Sequence, residues 1–102
     1  MSPTKRYEVR FTNRFKKSIK KLSAQNQTSV LATIATIEEY SPEYPSLETR
    51  KMTREDKWNK KQLFESRVNN DIRLIWYFDD EIIYILRVGH HDVEKMRKLQ
   101  NY

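Results

Sequence analysis

"QLFESRVNNDIRLIWYFDDEIIYILRVG", Gln62 to Gly89, decides how this chain folds. Within it "IRLIWYF" alternates: Ile72, Leu74, Trp76 and Phe78 share one face of an extended chain, and Arg73, Ile75 and Tyr77 share the other. Two largely apolar faces belong to a strand in the middle of a sheet. "QLFESRV" before it and "IIYILRVG" after it are also strand-like, while "NND" (Asn69 to Asp71) and "DDE" (Asp79 to Glu81) supply tight turns. The stretch therefore predicts an antiparallel meander.

Towards the N-terminus, "YEVRF" sets Tyr7, Val9 and Phe11 against Glu8 and Arg10, the period of a half-buried strand. Thr12 offers a hydroxyl N-cap, and Phe15, Ile19 and Leu22 fall on one helical face, predicting a first helix of about three turns. Ser23 caps a second helix with a stripe of Val30, Leu31, Ile34 and Ile37, which Pro42 and Pro45 in "EYSPEYP" bring to an end. From Leu47 to Met52 the signal is weak, and "TREDKWNKK" reads either as a long polar connection or as a basic pair of frayed strand ends. Beyond Gly89, Asp92 is placed to cap a short helix whose stripe is Val93, Met96 and Leu99. The order β-α-α-β-β-β, a two-helix hairpin packed on an antiparallel sheet with a short C-terminal helix, is an α+β arrangement. A single domain over residues 1–102 is expected.

The composition fits one small core, with 37% of the 102 residues apolar and 33% charged. Zero cysteines exclude a disulfide framework, a thiolate metal site and a cysteine nucleophile. No apolar window approaches the roughly 20 residues that cross a bilayer, and Met1 to Arg10 has no apolar signal-peptide stretch. A soluble, cytoplasmic protein with no membrane partner is expected. The formal charge is +6 and unevenly spread: Lys5, Arg6, Arg10, Arg14, Lys16, Lys17, Lys20 and Lys21 face only Glu8 in the first 22 residues. A second cluster, Arg50, Lys51, Arg54, Lys57, Lys60 and Lys61, is offset by Glu55 and Asp56. Such concentrations suit a polyanion or an acidic protein partner, with a merely solvated basic surface as the alternative.

"LFESRVNNDIRLIWYFDDEIIYILRVGHHD", Leu63 to Asp92, resembles the core of the RelE/ParE superfamily of toxins from bacterial toxin–antitoxin systems. The matching features are a strand with an aromatic, Glu and Arg, a short turn, a strand bearing Arg followed by aliphatics, and a last strand running into Val-Gly-His. The family order of strand, basic helical hairpin, meander and tail extends the resemblance over nearly the whole chain. "VGHHD" is most similar to RelE-type domains with two histidines at that place. The resemblance implies a RelE-like fold and a ribosome-dependent endoribonuclease that cuts mRNA in the decoding site. Such cleavage is metal-independent and needs no cofactor, with the ribose 2′-OH as nucleophile and a 2′,3′-cyclic phosphate as product. It also implies a cognate acidic antitoxin. In the ParE branch the resemblance implies instead a gyrase-inhibiting toxin without nuclease activity, and a basic binding module with decayed activity is a third alternative.

The resemblance places Arg73 at a family arginine, and a guanidinium beside Ile75 and Tyr77 needs an anion, either phosphate or Glu65 across the neighbouring strand. Glu65 and Arg67 lie two apart and share a strand face, where they could pair with one another or with neighbours; both are candidate catalytic residues, Glu65 as a base or else a structural partner. His90 and His91 are adjacent, so an extended chain sends them to opposite sides, which argues against a two-histidine metal site. The family places an imidazole or basic group just after Val-Gly, and His91 is the first candidate for proton transfer, with His90 next. Arg50, Lys51, Lys57, Lys60 and Lys61 are candidate RNA phosphate contacts, and Trp58 a candidate base-stacking residue. Tyr77 and Tyr84 are more consistent with core positions. The chain departs from the family where some nucleases carry paired lysines, here Phe64 and Ser66, and its C-terminal tyrosine is the terminal Tyr102.

Overall fold

The computed structural model describes residues 6–55 and 60–90. Five strands, β1 (Glu8–Phe11), β2 (Arg50–Glu55), β3 (Gln62–Arg67), β4 (Ile72–Asp79) and β5 (Ile82–His90), form one sheet in the order β1-β5-β4-β3-β2. Helices α1 (Asn13–Ile19) and α2 (Ala24–Glu39) follow β1, and a 3₁₀ turn at Pro45–Leu47 leads into β2. β4 is central, antiparallel to both β3 and β5, as its two apolar faces predict. On one face Ile72, Leu74 and Trp76 pack with Ile83, Ile85 and Val88 and with Phe15, Leu22, Val30, Ile34 and Ile37 of the helical layer. On the far face Ile75 and Tyr77 join Leu63 and Leu86, flanked by Met52 and Tyr84. Each fully buried aliphatic or aromatic side chain contributes roughly 1.5–3 kcal/mol, so the larger, helix-side cluster dominates the fold's stability.

The architecture is the expected α+β layering, with two differences in the sheet. β1 runs parallel to β5, with Glu8 opposite Ile82 and Phe11 opposite Ile85, so the sheet is mixed rather than wholly antiparallel. Arg50–Glu55 is a fifth strand, at the edge and antiparallel to β3, with an irregular register between Lys51 and Glu55. The first helix is also shorter than its apolar spacing suggests. It closes after Ile19, where the N–H groups of Lys21 and Leu22 bond to the carbonyls of Ser18 and Ile19, and Leu22 still reaches the core from this turn.

Both helices begin as their sequences predict. Thr12 and Ser23 are extended, and their hydroxyl oxygens accept the N–H groups of Phe15 and Asn26, each at 3.2 Å. Thr12 has a second task at β5. There Ile75 stands opposite Arg87 and Trp76 opposite Ile85, so Leu86 is the extra residue of a β-bulge. The bulge puts Leu86 in the far-face cluster, sets Arg87 on that face opposite Ile75 and returns Val88 to the helix side. The Thr12 hydroxyl lies 2.8 Å from the Ile85 carbonyl and 3.0 Å from that of Leu86, donating where the ladder is interrupted. Thr12→Ala is therefore expected to lower stability by about 1–2 kcal/mol, read as a lower urea midpoint, with Thr12→Ser near the native value. An unchanged midpoint in Thr12→Ala would mean that water already serves the bulge.

Candidate nucleic-acid interface

The far face of the sheet gathers arginines at the end where β3 leaves and β4 begins. Arg67 stands opposite Arg73, and Glu65 lies opposite Ile75 on one side and Arg50 on the other. Arg50 donates to one Glu65 oxygen through Nε (3.1 Å) and Nη2 (2.9 Å), while Arg73 Nε stands 4.0 Å from the same atom. The Glu65–Arg73 contact that the strand pairing allows is thus the looser of the two, and the carboxylate's short bonds go to Arg50. Arg73 is anchored instead by backbone, its Nη1 donating to the carbonyls of Asn69 (2.6 Å) and Ile72 (3.1 Å). Arg67 pairs with the Glu48 carboxylate at 2.6 Å and with the side chain of Asn70. Glu48 ends the 3₁₀ turn at φ 44°, in the left-handed region that a non-glycine residue seldom occupies.

These arginines form a gradient of depth. Their side chains are 66% (Arg50), 36% (Arg67) and 16% (Arg73) exposed, and Glu65 lies at the bottom beside Arg73. Arg67 and Arg73 stand directly opposite on neighbouring strands, and like charges so placed repel unless an anion intervenes. Across the other edge of β4, Arg73 stands opposite Gly89, the single glycine of the chain. Gly89 does not have positive φ, so its backbone does not require glycine. What the missing side chain supplies is room beside the Arg73 guanidinium for a close approach. Glu65→Gln is expected to cost only about 1 kcal/mol, because Arg50 stays largely hydrated. A double-mutant cycle with Arg50→Gln, scored by urea unfolding, measures the coupling, and a value near zero would show that solvent screens the pair.

His90 takes a different course. It stands opposite Ile72, whose side chain is in the helix-side core, and its Nδ1 lies 2.7 Å from the Asp71 carboxylate. The turn holding Asp71 is itself fixed by Asn69, whose side-chain oxygen accepts the N–H groups of Asp71 and Ile72, both at 2.9 Å. By register His90 is thus on the opposite face from Arg67 and Arg73, engaged with the turn. His91, Asp92, Lys57 and Trp58 lie outside the described residues. Among the described residues no group of three or more His, Asp or Glu side chains could hold a metal ion, and no helix is long and apolar enough to cross a membrane.

No family model matches the sequence, and no curated protein matches it either. Solved structures do. The archaeal RelE–RelB complex from Pyrococcus horikoshii OT3 contains a chain 20% identical to this one, covering 82% of this chain and 93% of that one with a TM-score of 0.64. The DinJ–YafQ toxin–antitoxin complex of E. coli matches at 15% identity over 85% and 94% of the two chains, with a TM-score of 0.63. The RelBE2 toxin–antitoxin complex of Mycobacterium tuberculosis matches at 26% identity over 83% and 98%, with a TM-score of 0.55. The chain has a RelE-like fold.

The RelE-like sheet divides the candidate phosphate contacts. Arg50 joins the arginine face, whereas Lys51, the next residue, stands opposite Phe64 and turns to the helix side. Lys60 and Lys61 precede β3 at the other end of the sheet, and Lys61 lies 3.3 Å from Asp79 at the end of β4. The length of β3, roughly 20 Å for its six residues, separates them from Arg67. Two elements of the arginine face, Glu48 and Gly89, had no place among the residues chosen from sequence. Gly89 carried a signal, since a lone glycine in an apolar strand marks a close approach, but Glu48 carried none.

Proposed function

We propose that this chain is the toxin of a toxin–antitoxin pair and that it cuts translated mRNA on the ribosome without a metal. The observation that supports this reading is the Arg67–Arg73 pair facing the bare backbone of Gly89. It is a cationic surface with room for a phosphate between fork-shaped donors. In the reaction a ribose 2′-oxygen attacks the adjacent phosphorus as its proton leaves. The bond to the 5′-oxygen breaks, that oxygen takes up a proton, and a 2′,3′-cyclic phosphate remains. Arg73 and Arg67 donate to the non-bridging oxygens, where negative charge grows. The carbonyls of Asn69 and Ile72 hold Arg73, and Glu65, itself held by Arg50, stands beside it as a positioning residue. His91 is assigned the proton transfer, and the His90–Asp71 pair holds the end of β5.

An acidic antitoxin would cover the arginine face and neutralise its charge. RelE-like neighbours crystallised with RelB and DinJ support such a partner. The proposed place of action is the cytoplasm, where ribosomes meet mRNA. The test is 5′-end mapping of mRNA after brief induction in cells. Cuts within translated frames that appear with the native chain support the reading. Growth arrest with intact mRNA and a DNA-damage response would replace it with gyrase inhibition.

A further inference from the structure

A cavity of about 440 Å³ opens on the helix side of the sheet, beyond the end of α2, in the size range of small-ligand sites. Its floor is aromatic. Phe64 stacks on Trp76 with ring centres 4.7 Å apart, and Phe78 stands edge-on to both, at 5.9 Å and 5.1 Å. Phe78 is 37% exposed. Lys51 and Glu43 line the same cavity, and among the described residues neither side chain has an ion pair or hydrogen bond. Both side chains are exposed, so they offer a cation and an anion to an occupant stacked on the aromatic floor.

We infer that this cavity takes an unpaired, amino-bearing nucleobase of a bound RNA strand, with its phosphate at Lys51. Such a nucleotide answers every feature of the cavity. Its ring stacks on Phe78 and Phe64, its phosphate meets the ammonium of Lys51, and its exocyclic amine donates to the Glu43 carboxylate. The position of Lys51 adds a second argument. Arg50 and Lys51 are consecutive on the edge strand β2 and face opposite sides of the sheet, Arg50 with Glu65 and Lys51 with Phe64. An RNA strand leaving the arginine face over this edge meets one cation on each side before its base reaches the cavity. The inference rests on the RNA-binding reading of the arginine face, but it is measurable without cleavage.

Trp76 supplies the readout. The sequence has two tryptophans, and Trp58→Phe leaves Trp76 in the cavity floor as the single emitter. Titration with CMP is expected to quench its emission saturably at millimolar concentration, and UMP, which lacks the amine, to bind about tenfold more weakly. Lys51→Glu and Phe78→Leu should each weaken CMP binding by about tenfold or more while circular dichroism stays native. Arg73→Ala should leave CMP binding unchanged, so loss of cleavage and loss of this site are separable. No saturable quenching by CMP, an equal response to inorganic phosphate alone, or native affinity in both cavity variants would each overturn the inference.

Discussion

Arg73→Ala is expected to lower mRNA cleavage by about 10²–10³-fold while the protein stays folded, the loss typical of removing one donor aimed at a developing oxyanion. The size of the effect follows from where the guanidinium sits. Only 16% of its side chain is exposed, so its charge acts in a medium less polarisable than water. The carbonyls of Asn69 and Ile72 fix one end of the fork. Nε, 4.0 Å from Glu65, points it across the strand. No reorganisation is then needed when the phosphate charge grows. Arg73→Lys keeps the charge but not the planar fork, and should recover only part of the rate. The measurement is the cutting rate of a defined mRNA on translating ribosomes, with urea unfolding as the control for folding. Cleavage at the native rate in a folded Arg73→Ala protein would remove this arginine from the site. In the same assay His91→Ala is expected to fall as far as Arg73→Ala, and His90→Ala to stay within a few-fold of native. The reason is that His90 is committed to Asp71 on the other face of β5. The reverse order would transfer the proton to the His90–Asp71 pair.

The central strands were readable because burial writes itself into their alternation. β4 is apolar at positions facing both layers, and the turns on either side of it carry the Asn and Asp residues that such turns need. β2 left no such mark. It is an edge strand with Met52 as its one apolar residue, so "RKMTRE" has almost no period to detect. Missing β2 hid the Arg50–Glu65 bond, although Glu65, Arg67 and Arg73 could be brought together from alternation and strand order. The parallel direction of β1 was hidden for a different reason. Local pattern fixes which side a residue faces, but only the path through two helices decides which strand β1 meets and in which sense. The Leu86 bulge likewise looks like one more residue in an unbroken apolar run, yet it sets the faces on which Arg87 to His90 fall. The aromatic cavity needs the loop from Ser41 to Thr49 folded over Phe64 and Phe78, a tertiary event that neither segment announces alone.

Ser66→Val should remove about 2–3 kcal/mol of stability, a large share of what a domain of this size possesses. Ser66 is fully buried, and the Trp76 indole N–H donates to its hydroxyl oxygen at 2.9 Å. The Thr49 hydroxyl lies 2.7 Å from Ser66 and donates to the Pro42 carbonyl at 2.5 Å. Because Thr49 spends its one hydroxyl proton on Pro42, the Ser66 proton must go to Thr49. The relay therefore runs in one direction, from Trp76 through Ser66 and Thr49 to Pro42. It ties the central strand to the loop that walls the aromatic cavity. Valine matches the shape of neither hydroxyl partner, leaving an indole N–H buried without an acceptor and Thr49 short of a donor. Trp76→Phe removes the orphaned N–H, so Ser66→Val should cost at least about 1 kcal/mol less in that background than in the native one. Urea unfolding of the four proteins reads the difference directly. Additive costs would mean that water enters to satisfy Trp76. The loop from Ser41 to Thr49 would then be held by packing of Leu47 in the core rather than by this relay.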